Sequence, residues 1–280
     1  MKGRLVTAKV IAAFREHLIL EERSAATVEK YVRDVRAFVA YARDDSITKE
    51  VVIAYKKYLQ ENYSTRSVNS MLASINSLFS RLGWDDLKVK QLKLQQQAFR
   101  PEEKELTKAE YTRLCRAAEH KRNMRLSLIL QTICGTGIRV SELQYITVEA
   151  AKRGEAVVHC KAKTRPVFIV RELKQKLLCY AAEQGIKSGV IFVTRSGRPV
   201  SRVNVWREMK ALCAEADVDP QKVFPHNLRH LFASVFYGIE KDIAKLADIL
   251  GHSSINTTRI YIISTGSEHR RHMENMRLIL

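Results

Sequence analysis

Apolar residues return every three to four positions through the first ninety residues, in four runs separated by short polar breaks, the period of helices with one buried face. Thr7 stands as a cap ahead of Val10, Ile11, Phe14 and Leu18, and Ser24 ahead of Val28, Tyr31, Val32, Val35, Phe38 and Val39. A third run starts near Thr48 with Val52, Tyr55 and Leu59, and a fourth near Thr65 with Val68, Leu72, Ile75 and Phe79, stopping near Gly83. This predicts a small all-α domain over residues 1–84. In "LKVKQLKLQQQAFRPEEKE" the period is lost, charge dominates and Pro101 interrupts, so residues 85–104 read as an extended linker.

Periodicity resumes at "LTKAEYTRLCRAAE", where Thr107 and Glu110 form a capping box, and continues in "MRLSLILQTIC", a segment apolar enough around its circumference to be a central buried helix. "GTGIRVSEL" then predicts a sharp turn, with Ser141 as the cap of the next helix. "EAVVHC" and "RPVFIV" flank the basic connection "KAKT" and read as a β-hairpin, with "GVIFVT" as a candidate third strand. Beyond Ser201 the pattern is helical: "SRVNVWREMKALCAEA", "HNLRHLFASVFYG" with Gly238 as stop, "DIAKLADILG" with Gly251 as stop, "NTTRIYII" and "SEHRRHMENMRLIL". The fold class is therefore mainly α, with a helical first domain and an α-rich second domain over 105–280 that contains a small antiparallel sheet. The terminal "MENMRLIL" has an apolar stripe that could cover its own domain or a neighbouring subunit.

Length agrees with two domains, since 280 residues hold two units of roughly 100 to 200 residues each. The formal charge of +18 changes the picture more. Residues 1–100 have 18 Lys and Arg against 11 Asp and Glu, and the remainder has 30 against 19, so both parts are basic. Such an excess suits a polyanion, because each cation that neutralises a phosphate releases a condensed counterion. Lys30, Arg33, Arg36, Lys56, Lys57 and Arg66 on the polar helix faces fit a module pressed onto DNA, although solvated helix exteriors have the same composition. Five cysteines at 115, 134, 160, 179 and 213 form no C-x-x-C pair and point to reduced thiols, and no stretch has the length of a secretory signal or a membrane span. The expectation is a cytoplasmic protein without membrane association.

The candidate chemistry begins with "FPHNLRHLFA". His226 and His230 share a helix face, as zinc ligands do, but the position after His226 is Asn227 where the zinc signature has a catalytic glutamate, and Arg229 would repel a cation. A buried helix with Leu228, Leu231, Phe232 and Val235 toward the core accounts for His230, but not for the start, where Pro225 places His226 near an anion-attracting N-terminus. Elsewhere Arg139 follows "GTG", Lys161 and Lys163 lie in the hairpin connection, His252 follows a helix stop in "LGHSS", and Tyr261 comes nine residues later. Together these are a set for phosphodiester transfer. Paired guanidinium groups can clamp the charge of a pentavalent phosphorane, a tyrosine hydroxyl can attack once such a field and a base favour its phenolate, and a lysine can protonate the departing oxygen. Such chemistry requires no metal or other cofactor.

Arg139 in "GTGIRVSEL", the lysine in "CKAKTR", "HNLRH", and "LGHSS" followed by Tyr261 together resemble the tyrosine recombinase (phage integrase) family, closest in layout to Xer-type enzymes and integrases of mobile elements. The resemblance spans nearly the whole chain, with the first four helices matching the family's core-binding (SAM-like) domain. It implies that Arg139 and Arg229 bind the scissile phosphate, Lys161 is the general acid, His226 and His252 assist proton transfer and stabilise the oxyanion, and Tyr261 forms a 3′-phosphotyrosyl link. It further implies double-stranded DNA with paired inverted half-sites as partner, a homo-tetramer on two duplexes, exchange through a Holliday junction, and no separate arm-binding domain. "CKAKTR" is one residue shorter than the family's usual G-K-G-x-K-x-R, which leaves Lys163 as a rival to Lys161. Glu142 is expected to orient its neighbours. The residues by themselves leave open a type IB topoisomerase-like nicking-closing enzyme and a non-catalytic DNA-binding protein.

Overall fold

The computed structural model describes residues 4–43, 46–94, 104–160, 163–261 and 266–276. The chain divides into two compact units, Met1–Gln96 and Gln97–Leu280. The first holds four helices, α1 (Ala8–Leu20), α2 (Ala25–Ala42), α3 (Lys49–Asn62) and α4 (Thr65–Leu82). Thr7, Ser24, Thr48 and Ser64 cap them, each accepting a backbone N–H three residues on, and Gly83 at φ 69° ends α4. Their apolar faces meet around Phe38, whose ring packs 5.1 Å from Tyr55 and 6.0 Å from Phe79. Asp34 is buried beside them and joins α2 to α4, with Lys30 Nζ at 2.8 Å and the Ser74 hydroxyl donating at 2.9 Å.

The segment expected as a linker begins inside this unit. Leu87 and Val89 are buried in its core after a 3-10 turn at Asp85–Leu87. Asn76 exchanges two hydrogen bonds with the Val89 backbone (2.8 and 3.1 Å) and Asn69 two with that of Leu92 (2.9 and 2.7 Å). Two side-chain amides of α4 thus replace a strand partner for an extended ribbon, which helical periodicity could not reveal. Pro101, in the rest of that segment, lies outside the described residues.

The second unit runs α5 (Lys108–His120), α6 (Met124–Thr136), a 3-10 helix at Val140–Tyr145, α7 (Val148–Arg153), β1 (Glu155–Cys160), β2 (Lys163–Phe168), α8 (Arg171–Glu183), α9 (Arg202–Lys210), α10 (Cys213–Ala216), α11 (Pro225–Glu240), α12 (Ile243–Leu250), α13 (Ile255–Arg259) and α14 (Gly266–Asn275). The Thr107–Glu110 capping box starts α5. α6 is central, burying Leu126, Leu128, Ile129, Leu130 and Ile133 among α5, α8 and α11. The strands pair antiparallel from Glu155↔Phe168 to Cys160↔Lys163.

Three expectations change here. "GVIFVT" forms no third strand: Val190 and Val193 make single bridges to Thr147 and Pro199, and the loop closes on itself through bonds from Thr194 N to Arg198 O and Val200 N to Phe192 O. Ile191 and Phe192 are buried from that loop, so the apolar run fills the core without a ladder. Gly238 does not stop α11, which continues to Glu240 and ends at Lys241 (φ 55°), because Asp242 starts the next helix by capping Ala244 and Lys245. Val235, expected in the core, is 45% exposed. No helix among the described residues is long and apolar enough to cross a membrane.

Candidate active site

Pro225 takes the first position of α11, where its missing N–H costs nothing, and so places Arg229 on the second turn, facing α6. Arg229 is 1% exposed. Two helix ends hold it: Nη1 donates to the carbonyl of Gly137, the cap of α6, and Nη2 to that of Leu250, the last residue of α12, both at 2.6 Å. Helix C-termini concentrate unpaired carbonyls and partial negative charge, which suits a buried cation. Both helices end on a left-handed glycine, Gly137 at φ 68° and Gly251 at φ 66°. A Cβ at Gly137 would lie 2.5 Å from the Phe232 ring, and one at Gly251 2.5 Å from Nε of Arg165. Burial, and then repulsion from Arg139, push Arg229 down to about 10, which leaves it charged at neutral pH.

Glu142 organises the next layer. Ser141 is not the cap of the 3-10 helix; Arg139 occupies that position, and the Glu142 carboxylate accepts its backbone N–H at 2.8 Å. The same carboxylate accepts from Arg139 Nη1 at 2.9 Å and Arg165 Nη2 at 2.7 Å, and lies 4.0 Å from Arg229 Nη1. Three guanidinium groups thus surround one buried carboxylate. Arg139, with a side chain 35% exposed, is the member open to solvent. The surplus positive charge is a receptor for an anion.

Tyr261 is brought beside this cluster by the turn at Gly251 and by α13. It is 6% exposed, its hydroxyl is 3.2 Å from His226 Nε2, and its carbonyl accepts from the Ser234 hydroxyl at 3.3 Å. The His230 ring stacks on it at 4.1 Å and meets His226 edge-on at 5.0 Å. His252 lies 5.2 Å from the tyrosine ring. Its Nε2 is 3.0 Å from Arg229 Nη2 and its Nδ1 2.8 Å from Thr258 Oγ1. A guanidinium only donates, so Nε2 accepts and the imidazole proton resides on Nδ1, donated to Thr258. Burial, and then Arg229 and Arg139, push His252 down to about 4, keeping it neutral at physiological pH.

The structure therefore gathers Arg139, His226, Arg229, His252 and Tyr261. Lys161 lies outside the described residues, and of Lys163 only the backbone, paired with Cys160, is described. Sequence reasoning passed over Arg165, whose signal was its place two residues after Lys163 in "CKAKTR", and Thr258, which no motif marks. Among the described residues no three His, Cys, Asp or Glu side chains group as a metal site requires.

The model of the phage integrase family matches residues 104–268, and that of the phage integrase N-terminal SAM-like domain matches residues 11–85. The chain is similar to tyrosine recombinase XerA of Thermococcus kodakarensis, with 31% identity over 279 residues, covering 97% of this chain and 96% of the relative. It is similar to the crystal structure of XerA recombinase, with a TM-score of 0.55, 25% identity and 97% and 99% of the two chains covered. Its fold is shared by a lambda integrase tetramer bound to a Holliday junction, with a TM-score of 0.74, 18% identity and 92% and 77% covered.

Proposed function

The chain belongs to the phage integrase family and is a tyrosine-type site-specific recombinase, and from that premise we propose that its cluster of arginines, histidines and Tyr261 breaks and rejoins DNA strands through a 3′-phosphotyrosyl intermediate. The observation that supports this most is the placement of Tyr261 with its hydroxyl against His226 and beside a cluster holding Arg139 and Arg229. Arg139 and Arg229 hold the nonbridging oxygens of the scissile phosphate. Their surplus charge stabilises the phosphorane, in which negative charge grows. His226 takes the phenolic proton as the Tyr261 oxygen attacks phosphorus, the P–O5′ bond breaks, and the 5′ oxygen gains a proton from a hairpin lysine, Lys161 or Lys163. His252 accepts from Arg229 and holds it in register, so it supports the same oxyanion through that guanidinium.

The link conserves the energy of the broken phosphodiester, so the 5′-hydroxyl of another strand can attack it without ATP. Four protomers act on two duplexes with inverted half-sites, in the cytoplasm, and exchange one pair of strands at a time through a Holliday junction. The first unit is the core-binding domain and the second the catalytic domain. A groove of about 290 Å³ lined by Tyr111, Cys134, Leu231, Phe232, Phe236 and Ile239 offers an apolar surface for docking of a neighbouring protomer.

Covalent capture tests this reading. Incubation with fragmented host genomic DNA, quenching in detergent and sequencing of the bound ends should return one discrete site, and Tyr261→Phe should return none. Plasmids bearing two such sites should recombine. Relaxation of a site-free plasmid without recombinants would favour a topoisomerase instead.

A further inference from the structure

The β1–β2 ribbon is a single hairpin, and a two-stranded hairpin is only marginally stable by itself. Its inward face is anchored at the base by Ala156, Val158 and Val167, all buried, whereas Val157 and Phe168 are exposed on the other face. Toward the turn, His159 and Thr164 bond to each other at 3.0 Å on the exposed face. Arg165, in register with Val158, is the inward-facing residue nearest the turn among the described side chains. It is not a surface cation. Its side chain is 12% exposed, donates to Glu142 at 2.7 Å, and packs so closely on the α12 cap that a Cβ on Gly251 would meet its Nε and Cδ at 2.5 and 2.7 Å. One side chain thus touches the strand it belongs to, the carboxylate that holds Arg139, and the turn that presents His252.

We propose that Arg165 is a positioning residue for leaving-group protonation: its grip on Glu142 and Gly251 fixes where the β1–β2 turn, and so the lysine on it, stands relative to the phosphate held by Arg139 and Arg229. This rests on the reading of a hairpin lysine as the general acid. A carboxylate at this place discriminates geometry as well as charge. Glu142 Oε2 already accepts the Arg139 backbone N–H, so Arg165 must approach from the remaining side, and its planar fork can reach that oxygen while lying flat on the glycine. A lysine keeps the charge but not the fork.

The test compares two duplexes carrying the captured site, one with the natural linkage and one with sulfur replacing the bridging 5′ oxygen. In the natural duplex the P–O5′ bond breaks and the oxygen takes a proton from the acid. In the other the P–S bond breaks and a thiolate departs unprotonated, since a thiol pKa is about 8.5. Arg165→Gln and Arg165→Lys should cleave the natural duplex about 100-fold and 10-fold more slowly than the parent, in the range of a lost proton-transfer catalyst, and should both come within a few-fold of it on the sulfur duplex. Arg139→Ala, which loses phosphate contacts, should stay slow on both. Circular dichroism of the two Arg165 variants identifies any that is unfolded, and the other then decides. Lys161→Ala and Lys163→Ala separate the layers. If one of them is rescued by sulfur and the folded Arg165 variants are not, the acid stands and the positioning role falls. If neither lysine variant is rescued, the acid reading fails and the role of Arg165 fails with it. Arg165 variants as fast as the parent on the natural duplex overturn the proposal outright.

Discussion

Buried charge is handled differently in the two units. In the first, Asp34 meets Lys30 at 2.8 Å, a serine hydroxyl at 2.9 Å and, at 3.5 Å, the solvent-exposed guanidinium of Arg33, so a single half-buried cation balances the charge and the second is already screened by water. In the second, Glu142 is outnumbered by Arg139, Arg165 and Arg229. Both arrangements satisfy hydrogen bonds, yet only the second leaves positive charge for something outside the chain. A balanced buried pair belongs to the fold, whereas an imbalance sustained by two helix C-termini and two left-handed glycines is a site waiting for an anion.

Substitutions in the two places should therefore read out differently. The largest effect is expected for Arg229→Lys, which cannot reach the Gly137 and Leu250 carbonyls together: single-turnover cleavage should drop about 10² to 10³-fold, as for loss of one oxyanion donor. Gly251→Ala comes next, since its Cβ must displace Arg165. Cleavage should slow about tenfold, with about 1 kcal/mol lost in stability from the left-handed backbone. Asp34→Ala is the counterpart in the first unit. Removing the carboxylate that Lys30 and Ser74 share, which leaves them the Ser70 carbonyl, should cost about 2 kcal/mol in denaturant melts, while the cleavage rate of the DNA-bound enzyme stays at the parent value. Gly83→Ala should be mildest, because its φ of 69° is strained for alanine but no atom lies within 4 Å of the new methyl. A small drop in Tm with unaltered cleavage is the expected result.

The same contrast has a pH dependence. His252 is pushed down to about 4 in the folded protein, below the ordinary histidine value of about 6.5. Between those values the unfolded chain binds the proton that the folded site refuses, so stability of the DNA-free protein should fall as pH drops from about 6.5 toward 4. His252→Asn should flatten that part of the stability profile. An unchanged profile would remove the imidazole from the buried network.

Much of this was legible in the chain. Thr7, Ser24 and Thr48 announced their helices because an oxygen cap before an apolar period is a local signal, and Gly83 and Gly251 announced stops because a left-handed end favours glycine. Arg139, His226, Arg229, His252 and Tyr261 stood out by their order. What escaped depends on tertiary partners. Leu87 and Val89 joined the first core through amides contributed by Asn69 and Asn76, which no period encodes. Gly238 looked like a stop, but the helix end is set by Asp242 beyond it. Arg165 looked like one more cation in a basic hairpin until the fold set it against Glu142 and Gly251.

The most direct measurement is peptide mapping of the covalent complex. Trapped protein–DNA adduct, digested with protease and nuclease and sequenced by mass spectrometry, should give one modified peptide, with a 3′-nucleotide phosphate on the Tyr261 oxygen. Adduct on any other side chain, or undiminished adduct from Tyr261→Phe, would contradict the assignment of this cluster as the strand-transfer site.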